Sequence, residues 1–357
     1  MSFTRRHFLG AAAIGGLSTV VGTGRAEASR FAPATWKKRL TGADLDTAGR
    51  WQVAGTDLGI PYILENGSIG YLFGDTFSGP RPGGPGWRSP VMLRSNVHPG
   101  ATTGVVFDSA ARVAGDGFAP ELMDNAYDTS GNGEFTVIPN DGIAFPETGR
   151  QLVSYMSIRQ WYPGQTPAWR TNYAGLAFSD NGNDFIRTPL RWPNNAGNTD
   201  PFQTWTMQRD GDHVYIFSVR AGRQPGPMML RRVPWERMFW PDEYEGWGWN
   251  GTDWGWGRPC TPILSGVLGE PSVRRLSDGT WAMTYLNLSI GAIVSRTATR
   301  PDGVWTDENV QVTGIQEPNL YDGFIHPWST RGAGGLHLMV SKWTDTAYHM
   351  SQWVGTL

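Results

Sequence analysis

Apolar and polar residues alternate with a period of two, in short runs closed by Gly, Pro, Asn or Asp, from about residue 50 onward. Residues 151–158, 173–178, 213–219, 280–286, 291–296 and 335–341 all follow this pattern. Alternation puts residues i and i+2 on one face, the geometry of a strand, and no segment sustains a helical period. The 47 Gly and 25 Pro supply the turns between the runs. Many short strands with regular turn signals fold as a sandwich, a barrel or a propeller. Repetition selects among these. Asp180-Asn-Gly-Asn-Asp-Phe185 and Asp302-Gly-Val-Trp305 each follow a strand, while Asp210-Gly-Asp-His213 and Asp278-Gly-Thr-Trp281 open one. These echoes recur every ~60 to 70 residues, the length of a four-stranded blade with its loops, so the expectation is an all-β, five-bladed β-propeller.

One hairpin in that series carries acids at both ends. Asp57 precedes the apolar segment from Tyr62 to Leu72, Asp75 follows it, and Asn66-Gly67 supplies the turn between them. Closing at that turn brings the two carboxylates near to opposition across the strands. Glycoside cleavage needs such a pair, one group to protonate the leaving oxygen and one to act as base or nucleophile, with their pKa values driven apart by environment. Taken singly, each Asp reads first as a turn or cap residue. Glu270, in Gly269-Glu270-Pro271, opens another blade's strand as a third acid or an orienting group. Asp141, before Gly142, reads as a turn residue. His326 in Ile325-His326-Pro327-Trp328 reads either as a donor to a sugar hydroxyl or as a core histidine.

Thr4-Arg5-Arg6-His7-Phe8-Leu9 followed by a mildly apolar Gly/Ala run and Ala26-Glu27-Ala28 has the form of a twin-arginine export signal. The expected organisation is therefore a signal over 1–28 and a single propeller domain over 29–357, exported to the cell wall or beyond. Removing Arg5, Arg6, Arg25 and Glu27 leaves 27 basic and 31 acidic residues, a weakly acidic balance that argues against nucleic acid or anionic lipid as a partner. No later apolar run is long enough for stable membrane insertion, and a monomer is expected. The basic segment Trp36-Lys37-Lys38-Arg39 should pack on the domain or close a sheet. Cys260 is the only cysteine, so no internal disulfide forms, and without a local His it reads as a small apolar residue rather than a nucleophile.

No His, Asp and Glu cluster has transition-metal spacing, so no cofactor is expected; a structural Ca²⁺ in a central channel would be compatible with the architecture. Residues 235–256 break the blade pattern with six tryptophans, read either as a stacking platform for sugar faces or as a self-anchored loop.

Phe73-Gly74-Asp75-Thr76-Phe77, Trp87-Arg88-Ser89-Pro90-Val91, Trp169-Arg170-Thr171-Asn172-Tyr173, Arg220 to Gly226, Gly269-Glu270 and Tyr321 to Trp328, in this order, resemble a secreted actinobacterial domain long described as of unknown function. That domain is now grouped with endo-D-arabinanases, five-bladed propellers that cut α-D-arabinofuranose chains of mycobacterial arabinogalactan and lipoarabinomannan. The resemblance implies Asp57 and Asp75 as the catalytic carboxylates, cell-wall D-arabinan as the partner, and a cleft lined by Trp87, Arg88, Asn172, Arg223, His326 and Trp328. Two departures stand out, the Pro after Glu270 and the length of the Trp-rich insertion. A lectin-like propeller without catalysis is one alternative. Another furanosidase or a sialidase-like propeller is the other, the latter needing Arg88, Arg170 and Arg223 to gather around a substrate carboxylate.

Overall fold

The computed structural model describes residues 33–357, so the export-signal segment lies outside the described residues. After β1 (Thr35–Arg39) and a six-residue helix α1 (Asp46–Trp51), the first blade is built from β2 (Leu58–Ile63), β3 (Ile69–Phe73), β4 (Val91–Ser95) and β5 (Ser109–Ala110). The second contains β6 (Thr136–Phe145), β7 (Arg150–Trp161), β8 (Trp169–Ser179) and β9 (Ile186–Pro193). The third runs through β10 (Thr204–Asp210), β11 (His213–Val219) and β12 (Pro225–Pro234), then adds β13 (Glu245–Trp249), β14 (Trp254–Trp256) and β15 (Leu264–Val267) at its outer edge. The fourth has β16 (Ser272–Arg275), β17 (Trp281–Asn287), β18 (Ala292–Ala298) and β19 (Asn309–Thr313). The fifth has β20 (Leu320–Ile325), β21 (Leu336–Trp343) and β22 (Tyr348–Gly355), and β1 completes it by pairing with β22. The five-bladed expectation is met, and the basic segment closes a sheet.

The inner strands β2, β6, β10, β16 and β20 touch in cyclic order, with β20 back against β2, so the ring is complete. Between the blades lie apolar clusters, the largest containing Trp51, Tyr71, Phe73 and Tyr155, all fully buried. Burial of these alternate side chains drives the stacking of twisted sheets.

The channel itself is polar. Asp141 sits at a bulge within β6, not in a turn, and accepts both Arg274 guanidinium nitrogens, Nη1 at 2.9 Å and Nη2 at 2.8 Å. It also accepts Thr206 Oγ1 and the Met207 amide, while Arg274 donates to the Pro61 and Val273 carbonyls. Both members are buried, and the bonds join the first four blades. A charge pair this dry holds only because nearly every lone pair and proton is matched. Arg274 thus places a fixed cation on the axis. Among the described residues, no group of three or more His, Cys, Asp and Glu could hold a metal ion, and no helix is long and apolar enough to cross a membrane.

Candidate active site

All five inner strands run in the same direction, and the ends at which they begin form one face of the ring. Asp57 lies immediately before β2. The β2–β3 register pairs Leu58 with Phe73 and Ile60 with Leu72, so one residue bulges out between them. Leu58 and Gly59 at the bulge both take left-handed conformations, φ 64° and 62°. For Leu that conformation is strained, and the strain is met by a bond from its amide to the buried Ser341 Oγ at 2.8 Å. The bulge turns Asp57 toward the axis. Asn66 and Gly67 make the expected turn: Gly67 has φ 83°, and Asn66 Oδ1 accepts the Ser68 amide.

Asp75 emerges two residues beyond the end of β3. Its Oδ1 accepts Trp87 Nε1 at 2.8 Å and Thr136 Oγ1 at 3.0 Å, so the hydrogen bonds from the fold fall on one oxygen of the carboxyl. Asp57 Oδ2 accepts the Tyr321 hydroxyl at 2.9 Å, and the Tyr348 hydroxyl stands beside the same carboxyl. Its Oδ1 is buried without a partner, against Gly74. A Cβ at Gly74 would lie 2.6 Å from that oxygen, so glycine is what lets the carboxyl occupy its place.

Both carboxyls keep some accessible surface but stand in surroundings too dry to favour charge. Burial raises Asp57 to about 7; the charge of Asp75 adds to the rise, and Tyr348, Tyr321 and Arg223 oppose it. Burial raises Asp75 to about 6, and the Trp87 and Thr136 hydrogen bonds hold it lower than it would otherwise be. Two interacting acids titrate as a pair, with one proton retained near neutrality.

Arg223 comes from the loop after β11 and donates to both oxygens of Glu270, at 3.1 and 2.6 Å. Its guanidinium lies over the rings of Trp169 (5.1 Å) and Tyr321 (4.9 Å), which ties it to the wall beside Asp57. Glu270 is therefore fully engaged by one cation, the arrangement of an orienting group. Asp322, next to Tyr321, is fully buried; Ser341 N–H donates to its Oδ1, and burial with the nearby charges of Glu270 and Asp57 pushes its carboxyl well up. Asn172 stands on the same face, near the start of β8, with its amide committed to the Gly133 carbonyl and Ser157 Oγ. Trp87 packs on Tyr127 (4.7 Å) and Phe135 (5.3 Å), forming an aromatic wall next to Asp75.

Three residues expected along the cleft lie elsewhere. Arg88 is buried and donates to the backbone carbonyls of Trp51, Gln52, Gly86 and Ala119, bracing α1 against the first blade. Adjacent residues of an extended chain point to opposite sides, so Trp87 faces Asp75 and Arg88 faces away. His326 and Trp328 follow the far end of β20. His326 is fully buried: Nδ1 accepts the Trp328 amide, which leaves the proton on Nε2 to bond Tyr71 Oη at 2.9 Å, and burial keeps the ring neutral. Trp328 stacks on His98 (5.7 Å, 6°) beside an open cavity of about 460 Å³ on the opposite face. Arg170 donates to the Ala196 carbonyl. Arg88, Arg170 and Arg223 are thus each bound to different partners and do not gather into a carboxylate clamp. Cys260 is half-buried beside the Leu230 carbonyl with its thiol pushed up by burial, which fits an inert residue.

Tyr321, Tyr348 and Thr136 complete the acid site and were not among the residues expected to line it. Each reaches it from another blade.

Residues 42–354 match the family described as a domain of unknown function, DUF4185. The chain is 55% identical over 351 residues, 92% of its length and 94% of the relative's, to notoamide biosynthesis cluster protein J′ of Aspergillus versicolor. This relative is fungal, so similarity of this order is not confined to the actinobacterial proteins implied by the sequence resemblance. Among solved structures, a presumed hydrolase from Bacteroides ovatus ATCC 8483 matches with a TM-score of 0.57 at 14% identity, covering 86% of each chain. A presumed exo-β-1,3-galactanase from Bifidobacterium bifidum s17 matches at 0.52 and 13%, covering 90% of this chain and 91% of that one. At such identities the likeness concerns the fold.

Proposed function

The chain belongs to the family described as a domain of unknown function, DUF4185, and on that premise we propose that it is a glycoside hydrolase with Asp57 and Asp75 as its carboxylates. The observation that carries the reading is the pairing of two desolvated aspartates, raised to about 7 and about 6, at the ends of one hairpin on an aromatic-walled face. Asp57, the more strongly raised, holds its proton near neutrality and gives it to the leaving glycosidic oxygen. Asp75 is charged at lower pH because Trp87 and Thr136 stabilise its Oδ1, so Oδ2 acts on the anomeric carbon or takes a proton from the attacking water. Arg223, neutralised by Glu270, offers a balanced site for a neutral sugar rather than a cationic one for an acidic sugar.

The substrate we propose is D-arabinan cut at internal α-arabinofuranosyl bonds, after export by the twin-arginine route to the cell wall. Its support is the sequence resemblance together with the neutral cleft. The test is incubation of the protein with mycobacterial arabinogalactan and sizing of the products. Short oligosaccharides are expected, with Asp57→Asn and Asp75→Asn each losing most of the activity. Long incubation without products from this or other furanosides would leave a binding propeller as the better reading. Azide rescue of Asp75→Ala, read by the anomeric configuration of the glycosyl azide, distinguishes nucleophile from base.

A further inference from the structure

Blade three carries an addition that the acid site does not use. β13 and β14 form a two-stranded ribbon in which Trp247 opposes Trp256, Gly248 opposes Gly255 and Trp249 opposes Trp254. The bond from Asn250 N to the Asp253 carbonyl closes the turn, where Gly251 has φ 101°. With a period of two, all four indoles fall on one face of the ribbon and the glycines on the other. The glycine face is sealed: a Cβ at Gly248 would lie 2.0 Å from the Pro259 carbonyl oxygen, and one at Gly246 would lie 2.3 Å from that of Arg258. On the indole face, Trp256 packs on Tyr215 (5.8 Å) and beneath Arg232 (4.4 Å), so the inner pair anchors the ribbon to the blade. Anchoring does not account for the outer pair. Trp249 and Trp254, 6.0 Å apart and inclined at 52°, remain 45% and 40% exposed.

We propose that Trp249 and Trp254 form a second binding surface, for a neutral polysaccharide, on the outer edge of the ring. Area selects the occupant. At these exposures the two indoles offer about 200 Å² of apolar surface, far below the ~800 Å² per partner of a stable protein interface but sufficient for the C–H face of one or two sugar rings. The rim suits hydroxyl groups: exposed Asn250 and Thr252 make up the turn between the indoles, and Arg232, over Trp256, pairs with Glu245 at 2.7 Å, so neither an anion nor a cation is favoured. The surface would hold the chain to a glycan while the acid pair, on another part of the ring, remains free.

The test uses the full chain bearing Asp75→Asn, so that the polysaccharide survives and the result does not depend on hydrolysis. Affinity electrophoresis in arabinogalactan should show retardation, and adding Trp249→Ala with Trp254→Ala should weaken binding about tenfold or more, the ratio expected for losing two aromatic contacts. Polygalacturonate, an anionic control, should not retard the protein. Because the alanine chain risks misfolding, oxidation by limiting N-bromosuccinimide is mapped in parallel on the chain carrying only Asp75→Asn; arabinogalactan should protect Trp249 and Trp254. Equal retardation with and without the two indoles, absence of protection, or a dimer in sedimentation that the alanine changes dissociate would each overturn the proposal. An inactive protein that still shows protection would refute the hydrolase reading and leave this one standing.

Discussion

Replacing Asp57 by Asn should stabilise the protein, and by an amount that depends on pH. The carboxyl is raised from an ordinary value of 3.8 to about 7, chiefly by burial. A group whose pKa is higher in the fold than in the unfolded chain favours the fold while protonated. That contribution is complete below about pH 4 and is lost as the pH rises through about 7. At about 1.4 kcal/mol per pH unit the ceiling is about 4 kcal/mol. Asp57 keeps some contact with solvent, so screening brings the expected figure to about 1–2 kcal/mol at pH 8. Asn keeps the shape and carries no charge. Asp57→Asn should therefore melt about 2–4 °C above the parent at pH 8 and together with it at pH 4, read by calorimetry across that range. Asp75→Asn should follow the same course with a smaller amplitude, since Asp75 is raised only to about 6. A difference independent of pH, or a parent that gains stability between pH 4 and 8 relative to the variants, would refute the claim that these aspartates are held in surroundings that resist charge.

Gly74→Ala should cut the rate of glycan cleavage about a hundredfold, because its Cβ would displace Asp57 Oδ1, and a misplacement of about 1 Å costs that much; a near-normal rate in steady-state kinetics would contradict it. Trp87→Phe removes one of the two donors to Asp75 and should move the acidic limb of the rate profile to higher pH, by about one unit or less. Asp141→Asn, which strands the buried Arg274, should cost about 3–5 kcal/mol in denaturant unfolding, and adding Arg274→Met should return part of it.

The hairpin bearing Asp57 and Asp75 was legible in the sequence because everything that makes it is local: an Asn-Gly turn, alternating flanks and an acid at each end. The blade count was legible because each blade repeats the same local grammar. What surrounds the acids was not. Tyr321 and Tyr348 come from the opposite end of the chain, and only closure of the ring brings them to Asp57. The resemblance named Trp87 and Arg88 together, but alternation sends one into the site and the other beneath α1. It also placed His326 and Trp328 in the cleft, although β20 spans the depth of the ring and carries them away from Tyr321. Asp141 read as a turn residue because Asp-Gly marks turns; in β6 the same pair marks a bulge, and its partner Arg274 lies more than a hundred positions away, beyond the reach of local pattern. Within the Trp-rich stretch, Glu245–Trp249 and Trp254–Trp256 follow a strand alternation that its composition obscured.

The pairing of β1 with β22 also bears on the surroundings of Asp57. β22 carries Tyr348 to the carboxyl of Asp57 in the first blade, and β1 pairs with that strand along its outer side. The first blade alone has both aspartates but lacks Tyr321 and Tyr348, the hydroxyls that stand beside Asp57. The surroundings that raise Asp57 are therefore complete only when the fifth blade closes the ring against the first.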